Sequence, residues 1–322
     1  MKPAVPLRQP RRIRLRPGSR PLALPAIRLR ALPPFTLLLV LALLIWVGLR
    51  QLATPAVVPE TAPANQFSAA RAMNDLRVIA SQPRALGSPG NIAARNYLVE
   101  QLRSLGLDPQ IQTTSVVLPA DGGDEGFTAG LINNVVARIP GTDSTGAIAL
   151  DAHYDSGDTG PGASDNGAGV VTTLEAIRVI MAGPPLRNDI LIVFADGEEN
   201  GMMGAAAFND QHPWAGDVRL AVNFEAQGSG GPAILYVTGE DNSWTVSEFL
   251  KVAPDPTAYS LLPAISKLFP SGRLDCDLGE FTKRGTPGFG FVYASDTPTY
   301  HTVRDNVSEI DPGSIQQEGG YT

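Results

Sequence analysis

Short apolar runs without a polar interruption constrain the fold of this chain more than any other feature. The clearest run extends from Ile190 to Phe194 and reads Ile-Leu-Ile-Val-Phe. A strand with one face in water alternates apolar and polar side chains, whereas an uninterrupted run is typical of a strand covered on both faces. Such strands form mostly parallel sheets with helices packed on either side. The run therefore predicts an α/β fold with a mostly parallel central sheet flanked by helices.

Strand and helix patterns alternate along the chain from residue 67 onwards. Helical periodicity covers 67–81 and 91–105, after which Gly106 predicts a helix stop. Strand patterns follow at 109–117, 134–139, 147–153, 190–195, 220–225, 233–237 and 288–293, with helical patterns at 167–181 and 202–208. Neither a repeat nor a boundary divides this region, so we expect residues 67–322 to form one domain.

The first fifty residues carry a different charge from the rest of the chain. They contain Lys2 and nine arginines but no acidic residue, so the total charge of −7 leaves −17 on residues 51–322. No residue between Arg30 and Arg50 is charged, and most are apolar. As a helix with a rise of about 1.5 Å per residue, this stretch is roughly 28 Å long, close to the thickness of a bilayer core. The stretch therefore predicts a transmembrane helix that precedes the α/β domain.

The charge asymmetry predicts how this N-terminal region is oriented. Because basic residues precede the apolar stretch, the positive-inside rule predicts a basic cytoplasmic arm at 1–30, a single transmembrane signal anchor at 31–50 and an extracytoplasmic remainder. A cleaved signal peptide and a buried helix of a soluble protein are the alternatives. Residues 51–66, rich in Pro and Ala, predict a linker to the domain at 67–322. We expect the arm to contact anionic lipid and the anchor to bind membrane lipid, with no nucleic acid as a partner.

Side chains that bind metals follow several predicted strands at the point where each strand ends. One predicted strand ends in a histidine, and two others end in or lead into glutamates. The two further candidates are an aspartate in a loop rich in glycine and a histidine in a polar loop. The set is His153, Asp165, Glu198, Glu199, Glu225 and His301. Ligands of open α/β sheets bind at the carboxyl ends of the strands, and imidazole with carboxylate suits zinc. Five ligands and a spare glutamate exceed one tetrahedral site, which favours two metal ions that share one carboxylate.

None of these residues is decisive when it is taken alone. His153 stands two residues before Asp155, whose carboxylate can accept the second imidazole N–H, but a structural histidine fits the same pattern. Asp165 precedes a predicted helix and would also serve as a helix cap. Glu198 and Glu199 are adjacent carboxylates, which repel each other unless one binds a cation and the other carries a proton.

Two further residues with metal-binding or redox chemistry lack such a context. His212 lies outside the strand patterns and is interpreted as an ordinary surface histidine. Cys276 is the only cysteine of the chain, so no intrachain disulfide can form, and we interpret it as a small core residue.

The sequence motifs around the candidate ligands resemble those of a known protein family. The motifs are His153-x-Asp155, Ser164-Asp165-Asn166-Gly167, Glu198-Glu199, Glu225, Asp275-x-x-x-Gly279-x-Phe281, Gly285-Thr286-Pro287 and Tyr300-His301-Thr302 with Asp305. In this order they resemble the co-catalytic di-zinc metallopeptidases of the bacterial leucyl aminopeptidase and glutamate carboxypeptidase type. The resemblance covers about residues 67–322. Glutamate at position 225, followed by Ala226 to Gly231, is similar to the membrane-anchored branch of the endoplasmic reticulum and the vacuole.

The resemblance implies a zinc-exopeptidase fold of the aminopeptidase-like kind with two Zn²⁺ ions per chain. His153 and Glu225 would hold one ion, Glu199 and His301 would hold the other, and Asp165 would bridge them. The resemblance also implies a cis peptide bond after Asp165.

The same resemblance implies a reaction. Glu198 would act as the general base towards a hydroxide that bridges the metals, and Asp155 would stand behind the histidine ligand at position 153. The implied function is an aminopeptidase that acts on peptides with a free N-terminus. A carboxypeptidase would need a cation for the substrate carboxylate. The cations available for that task are Arg273, Arg284 and Arg304.

Two further alternatives share the fold that the resemblance implies. One is an enzyme like glutaminyl cyclase with a single zinc ion, and the other is a membrane ectodomain without catalytic activity. The end of the chain adds one expectation about length. Asp311 and Pro312 predict the start of a closing helix, but the chain stops at Thr322, so we expect the natural protein to be longer.

Overall fold

A computed structural model describes residues 34–119, 126–239, 242–258 and 276–322 of the chain. The chain divides into two compact units, of which the first ends at Gly48 and the second comprises Leu49–Thr322. The predicted basic arm at 1–30 lies outside the described residues.

The first helix, α1, extends over Pro34–Gln51 and covers most of the predicted anchor. Its large apolar side chains are exposed, with Leu38 at 63% and Ile45 at 54%. Within the described ranges, no helix has both the length and the apolar character that crossing a membrane requires.

One seven-stranded sheet forms the centre of the second unit. Its strands are β1 Gln110–Pro119, β2 Phe127–Ile139, β3 Ala147–His153, β4 Asp189–Ala195, β5 Val218–Ala226, β6 Ile234–Thr238 and β7 Gly288–Tyr293. The order across the sheet is β1-β2-β4-β3-β5-β7-β6. The four central strands are mutually parallel, and the outer strands β1, β2 and β6 pair antiparallel. The parallel centre confirms the predicted fold class.

The described part of the second unit contains several α-helices, three of which begin at polar caps that the sequence supplies. The helices are α2 Ala69–Ile79, α3 Pro89–Ser104, α4 Gly169–Ala182, α5 Met203–Gln211, α6 Ser243–Val252, α7 Leu278–Thr282 and α8 Pro312–Gly320. Side-chain oxygens of Ser68, Ser88 and Asp311 accept hydrogen bonds from the first turns of α2, α3 and α8. Each such cap stabilises a helix by about 1 kcal/mol. The cap at Asp311 confirms the predicted start of the last helix.

Both faces of strand β4 are covered, which explains its uninterrupted apolar run. Ile192 and Phe194 lie in an apolar cluster with residues of α2, α3 and α4, whereas Leu191 and Val193 lie in a second cluster with α5 and α7. Successive side chains of a strand point to opposite faces, so a strand between two helical layers needs apolar residues at every position. Full burial of each of these side chains contributes about 1.5–3 kcal/mol.

Two elements depart from the sequence prediction because they bury little apolar surface. Strand β2 begins at Phe127 rather than at residue 134, and its first half pairs only with β1. Phe127 and Leu131 there are 73% and 58% exposed. Helix α6 was not predicted, and only Thr245 and Phe249 of it are buried. Neither element therefore has the apolar pattern that a core-facing element shows.

The segment predicted as a linker, 51–66, lies against the domain. The Thr54 hydroxyl donates a hydrogen bond of 2.9 Å to Asp311, and the Val58 N–H donates one of 3.0 Å to the side chain of Gln316. Helix α8, which carries Gln316, packs on α2 and α4 with Ile315 fully buried.

Candidate metal centre

All six candidate side chains meet at one edge of the sheet. The central strands are parallel, so their carboxyl ends lie side by side, and the loops that follow them share one edge. His153 is the last residue of β3, Glu225 lies near the end of β5, and the adjacent pair Glu198-Glu199 follows β4. Asp165 lies in an irregular turn that leads into α4, and His301 lies in the loop after β7.

Three of these side chains form a group that we call the buried triad. It consists of His153, Asp165 and Glu225, all of them buried. Nε2 of His153 lies 3.2 Å from Oδ1 of Asp165 and 3.6 Å from Oε2 of Glu225. One imidazole nitrogen and two carboxylate oxygens can thus contribute to a single coordination sphere.

The second group, which we call the rim triad, consists of Asp165, Glu199 and His301. Nε2 of His301 lies 3.0 Å from Oδ2 of Asp165 and 3.2 Å from Oε2 of Glu199. The side chain of His301 is 47% exposed, whereas that of His153 is 1% exposed. Asp165 belongs to both triads, with one carboxylate oxygen towards each histidine.

Two atoms at the centre of this arrangement are buried without a hydrogen bond to any described residue. They are Nε2 of His153 and Oδ2 of Asp165. Their nearest charged neighbours lie at 3.2 Å and 3.0 Å, but neither contact forms a hydrogen bond. A buried polar atom without a partner costs free energy, and lone pairs that converge on one point suit a cation. The donor set of imidazole nitrogens and carboxylate oxygens therefore fits zinc.

Asp155 connects the two glutamates with His153. Its carboxylate accepts the backbone N–H groups of Glu198 at 3.1 Å and Glu199 at 3.2 Å. Oδ1 of Asp155 also lies 3.3 Å from Nδ1 of His153. A carboxylate at Nδ1 favours the tautomer whose Nε2 is free to bind a metal. The side chain of Glu198 extends towards the buried triad, with Oε2 at 3.7 Å from Nε2 of His153.

The charges at the centre shift the pKa values of its groups. Burial lowers the pKa of His153, but the carboxylates of Glu198 and Glu225 outweigh it and hold this pKa well above its ordinary value. Burial raises the pKa of Glu198 well above its ordinary value. The close carboxylates of Asp165 and Glu199 raise the pKa of His301 to about 10. The centre thus attracts positive charge, and bound cations can replace the protons because metal ligands bind in deprotonated form.

The backbone around Asp165 and His301 has unusual conformations. The peptide bond between Asp165 and Asn166 is cis, as the family resemblance implies. His301 has a positive φ of 56°, and a nearby loop residue, Asp296, has one of 55°. Asp305 accepts the N–H groups of Ser164 at 2.6 Å and of Asp165 at 3.0 Å, and these bonds hold the turn in place.

Two residues with side chains that can bind metals, Asp196 beside the glutamate pair and His212, do not belong to the centre. Asp196 points away from the centre and accepts hydrogen bonds from Asn91 and from the backbone of Asn133. The prediction for His212 is wrong, because this residue is only 8% exposed and its ring stacks on Phe208 at 5.2 Å between ring centroids. It caps the end of α5 and does not approach the metal centre.

The remaining predictions concern one cysteine and three arginines. Cys276 is buried, which confirms its interpretation as a core residue. Arg284 forms an ion pair with Asp210, and Arg304 lies near two carboxylates of its own loop region. Arg273 lies outside the described residues.

The sequence analysis missed two residues that support the centre. Asn223 donates hydrogen bonds from Nδ2 to Asp151 at 3.0 Å and to Oε1 of Glu225 at 3.4 Å. The sequence contained a signal for Asn223, because it lies two residues before Glu225 on the same strand and such residues share a face. Arg84, in the loop between α2 and α3, is fully buried beneath the loop that follows β3. The sequence around Arg84 carries no pattern that distinguishes it.

Comparison with known proteins identifies relatives of this chain. The chain is 32% identical over 270 residues to endoplasmic reticulum metallopeptidase 1 of Mus musculus, and the match covers 79% of this chain and 30% of that protein. The chain thus spans less than a third of the length of this curated relative.

Solved structures share the fold. A glutaminyl cyclase from Porphyromonas gingivalis has a TM-score of 0.62 and 23% identity, with 79% of this chain and 96% of that chain covered. An aminopeptidase from Aneurinibacillus sp. strain AM-1 has a TM-score of 0.61 and 16% identity, with 80% and 94% covered. At these identities the likeness shows the fold alone.

The chain also matches the model of a protein family. Residues 134–320 match Peptidase family M28, and this range includes every candidate ligand from His153 to His301. The range covers more than half of the chain, and it begins in β2 and ends with α8. The chain therefore belongs to peptidase family M28.

Proposed function

We propose that this chain is a zinc-dependent exopeptidase, and specifically an aminopeptidase with two Zn²⁺ ions per chain. The observation that carries the proposal is that the buried triad and the rim triad share Asp165. His153 and Glu225 would hold one ion, and Glu199 and His301 would hold the other. When bound, the ions would supply Lewis acidity for a peptide carbonyl and would make water a stronger acid.

The chain's own residues would move the protons. Glu198 belongs to neither triad, so its carboxylate is available as a general base. It would accept a proton from the attacking water and donate this proton to the leaving amine of the substrate. Asp155 would hold His153 in the correct tautomer and would fix the position of Glu198 through its backbone N–H. Membership in a peptidase family supports peptides as the substrate class.

Among the residues that the structure describes, the charges around the centre support an aminopeptidase rather than a carboxypeptidase. A carboxypeptidase needs a free cation near the centre for the carboxylate of its substrate. Arg304, the arginine of the rim loop, lies 3.4 Å from Asp296 and 3.3 Å from Glu309. Arg284 lines a cavity with Val218 and Gly216, at the start of β5 and thus at the opposite edge of the sheet. The surplus of carboxylates at the centre suits the ammonium group of a free N-terminus.

An activity assay on paired substrates tests this proposal. We expect release of the N-terminal residue from peptides with a free amine, no release from the same peptides with a blocked N-terminus, and loss of release with a zinc chelator. Metal content after gel filtration should be two zinc ions per chain. Cyclisation of N-terminal glutamine with one bound ion would favour a glutaminyl cyclase-like enzyme, and no bound metal would favour a non-catalytic ectodomain.

We also propose that residues 31–50 anchor the domain in a membrane as a single-pass segment with a cytoplasmic N-terminus. Lys2 and the eight arginines of residues 1–30, together with the exposed apolar side chains of α1, support this topology. The full-length chain should stay with membranes during alkaline carbonate extraction, whereas a chain without residues 1–50 should be extracted. Cleavage of the domain by protease added to the cytoplasmic side of sealed membranes would contradict the topology.

A further inference from the structure

Arg84 is a fully buried arginine that hydrogen-bonds mainly to the backbone of a single loop. Arginine is almost never fully buried unless its charge is satisfied. The guanidinium of Arg84 donates from Nε to the carbonyl of Tyr154 at 2.7 Å, from Nη2 to that of Gly162 at 2.8 Å, and from Nη1 to that of Pro161. All three acceptors belong to residues 154–162, which we call the glycine-rich loop.

The backbone of Arg84 holds the same loop at a second point. Its N–H donates to Oγ of Ser156 at 2.8 Å, and its carbonyl accepts the N–H of Ser156 at 3.3 Å. Oγ of Ser156 lies 3.2 Å from the carbonyl of Gly160. A single residue thus fixes the beginning, the middle and the end of the glycine-rich loop.

The glycine-rich loop in turn contacts two residues of the rim triad directly. The N–H of Gly157 donates to Oε1 of Glu199 at 2.9 Å, which leaves Oε2 to face His301. The hydroxyl of Thr159 donates to the carbonyl of His301 at 2.9 Å.

The end of the loop packs against the third residue of the rim triad. Gly162 has a φ of +59°, and a Cβ atom at this position would lie 2.4 Å from the carbonyl oxygen of Asp165. Only glycine therefore allows the loop to approach this residue so closely.

The buried triad contacts this loop through Asp155, which faces Nδ1 of His153, and through the shared Asp165, but its other support comes from the sheet. His153 and Glu225 both lie on strands of the sheet, and Asn223 of β5 contacts Glu225. The guanidinium also places a positive charge beneath the centre. Burial lowers the pKa of Arg84 to about 10, and the nearby carboxylates of Asp155 and Asp305 oppose this shift, so the side chain stays charged at neutral pH.

We propose that Arg84 is a positioning residue for the rim triad, which it holds in place through the glycine-rich loop. This inference rests on the proposed two-metal function. It predicts that loss of the guanidinium weakens metal binding in the rim triad and leaves binding in the buried triad intact. Lysine cannot replace it, because one ammonium group cannot span three carbonyls that face a planar fork of N–H donors.

The test measures zinc affinity by competition with a chromophoric chelator for the wild type, Arg84→Lys and Arg84→Ala. We assign the weaker of the two zinc-binding steps to the rim triad. For both variants we expect the affinity of this step to fall by about 10–100-fold, which is the usual effect of removing an outer-shell partner of a metal ligand. The tighter step should be unchanged. Added methylguanidinium should restore part of the lost affinity in Arg84→Ala but not in Arg84→Lys, where the ammonium occupies the space.

Two controls separate positioning from a general effect on stability. Arg178 is a partly buried arginine that binds Asp75 and Glu175 far from the loop, so Arg178→Lys should lower the thermal midpoint without changing either zinc step. Thr159→Val removes only the hydroxyl bonded to His301, and we expect a smaller loss in the same step as for Arg84→Lys. This variant serves as the test if both Arg84 variants fail to fold.

The outcomes separate the two proposals. A wild type that binds fewer than two zinc ions would contradict the proposed function, whatever the variants do. A wild type with two steps that Arg84→Lys leaves unchanged, or weakens equally, would overturn the role of Arg84 alone. If Arg84→Lys and Thr159→Val both weaken the same single step, the role is supported.

Discussion

The buried triad and the rim triad share one carboxylate but differ in how the fold holds them. His153 and Glu225 lie on adjacent parallel strands with almost no solvent exposure, whereas Glu199 and His301 lie on loops, and nearly half of the His301 side chain is exposed. Strands fixed by a packed core position their side chains rigidly, and loops are more mobile. If both triads hold zinc as we propose, we expect the buried triad to bind its ion more tightly and the substrate to approach from the rim.

The largest expected effect comes from a residue in neither triad. Glu198→Gln should lower kcat by about 10²–10⁴-fold, the range in which general acid–base catalysis contributes, because the amide cannot accept the proton. The variant should still bind as much zinc as the wild type, measured by metal analysis of the same samples. Glu199→Gln is the matched control, since it should lose zinc as well as activity. Activity near the wild-type rate in Glu198→Gln would contradict its role.

A pair of histidine variants tests the comparison directly. His301→Ala should remove only the rim ion and leave one zinc per chain, because the buried triad keeps all its ligands. His153→Ala should affect the buried ion and the fold together, because it also leaves buried carboxylates without a partner. We expect the affinity of the affected site to fall by at least about 100-fold, more than outer-shell changes cost. If His301→Ala lost both ions while His153→Ala kept one, the order of affinities would be the reverse.

The smallest expected effect concerns stability at the buried side of the centre. Glu318 of α8 is fully buried, and burial, with the nearby charge of Glu225, raises its pKa well above the ordinary value of 4.5. Between pH 4.5 and the raised pKa of Glu318, the folded state binds a proton that the unfolded state has lost. The free energy of unfolding therefore falls as the pH rises through this window.

Glu318→Gln removes this dependence because the amide does not titrate. The variant should be more stable than the wild type near pH 8 by about 1–3 kcal/mol, the cost of a desolvated polar group without full compensation. Near pH 4 the difference should vanish. Thermal unfolding at both pH values measures it, with Glu248→Gln as a control that should show no such change, because the side chain of Glu248 is 46% exposed. A constant difference at both pH values would show that packing, not the proton, causes the effect.

Local patterns in the sequence predicted the elements that the core covers. The bounds of β3 and β7 agree with the prediction to the residue, because every residue of these strands has a buried or nearly buried side chain. The cap at Asp311 and the cis bond after Asp165 were also predicted, the first from local chemistry and the second from family resemblance. The same patterns failed for the first half of β2 and for α6, since these elements face water and need no apolar periodicity.

For the candidate centre, the sequence by itself determined which residue types follow the strands, and hence that a metal site with a spare glutamate was to be expected. Only the tertiary structure decided that Asp165 faces two histidines, that Asp196 turns away and that Arg84 lies beneath the glycine-rich loop. The physical reason is distance along the chain. A strand pattern indicates which side chains of that strand face the core, whereas contacts between residues 70 to 141 positions apart depend on how the elements pack.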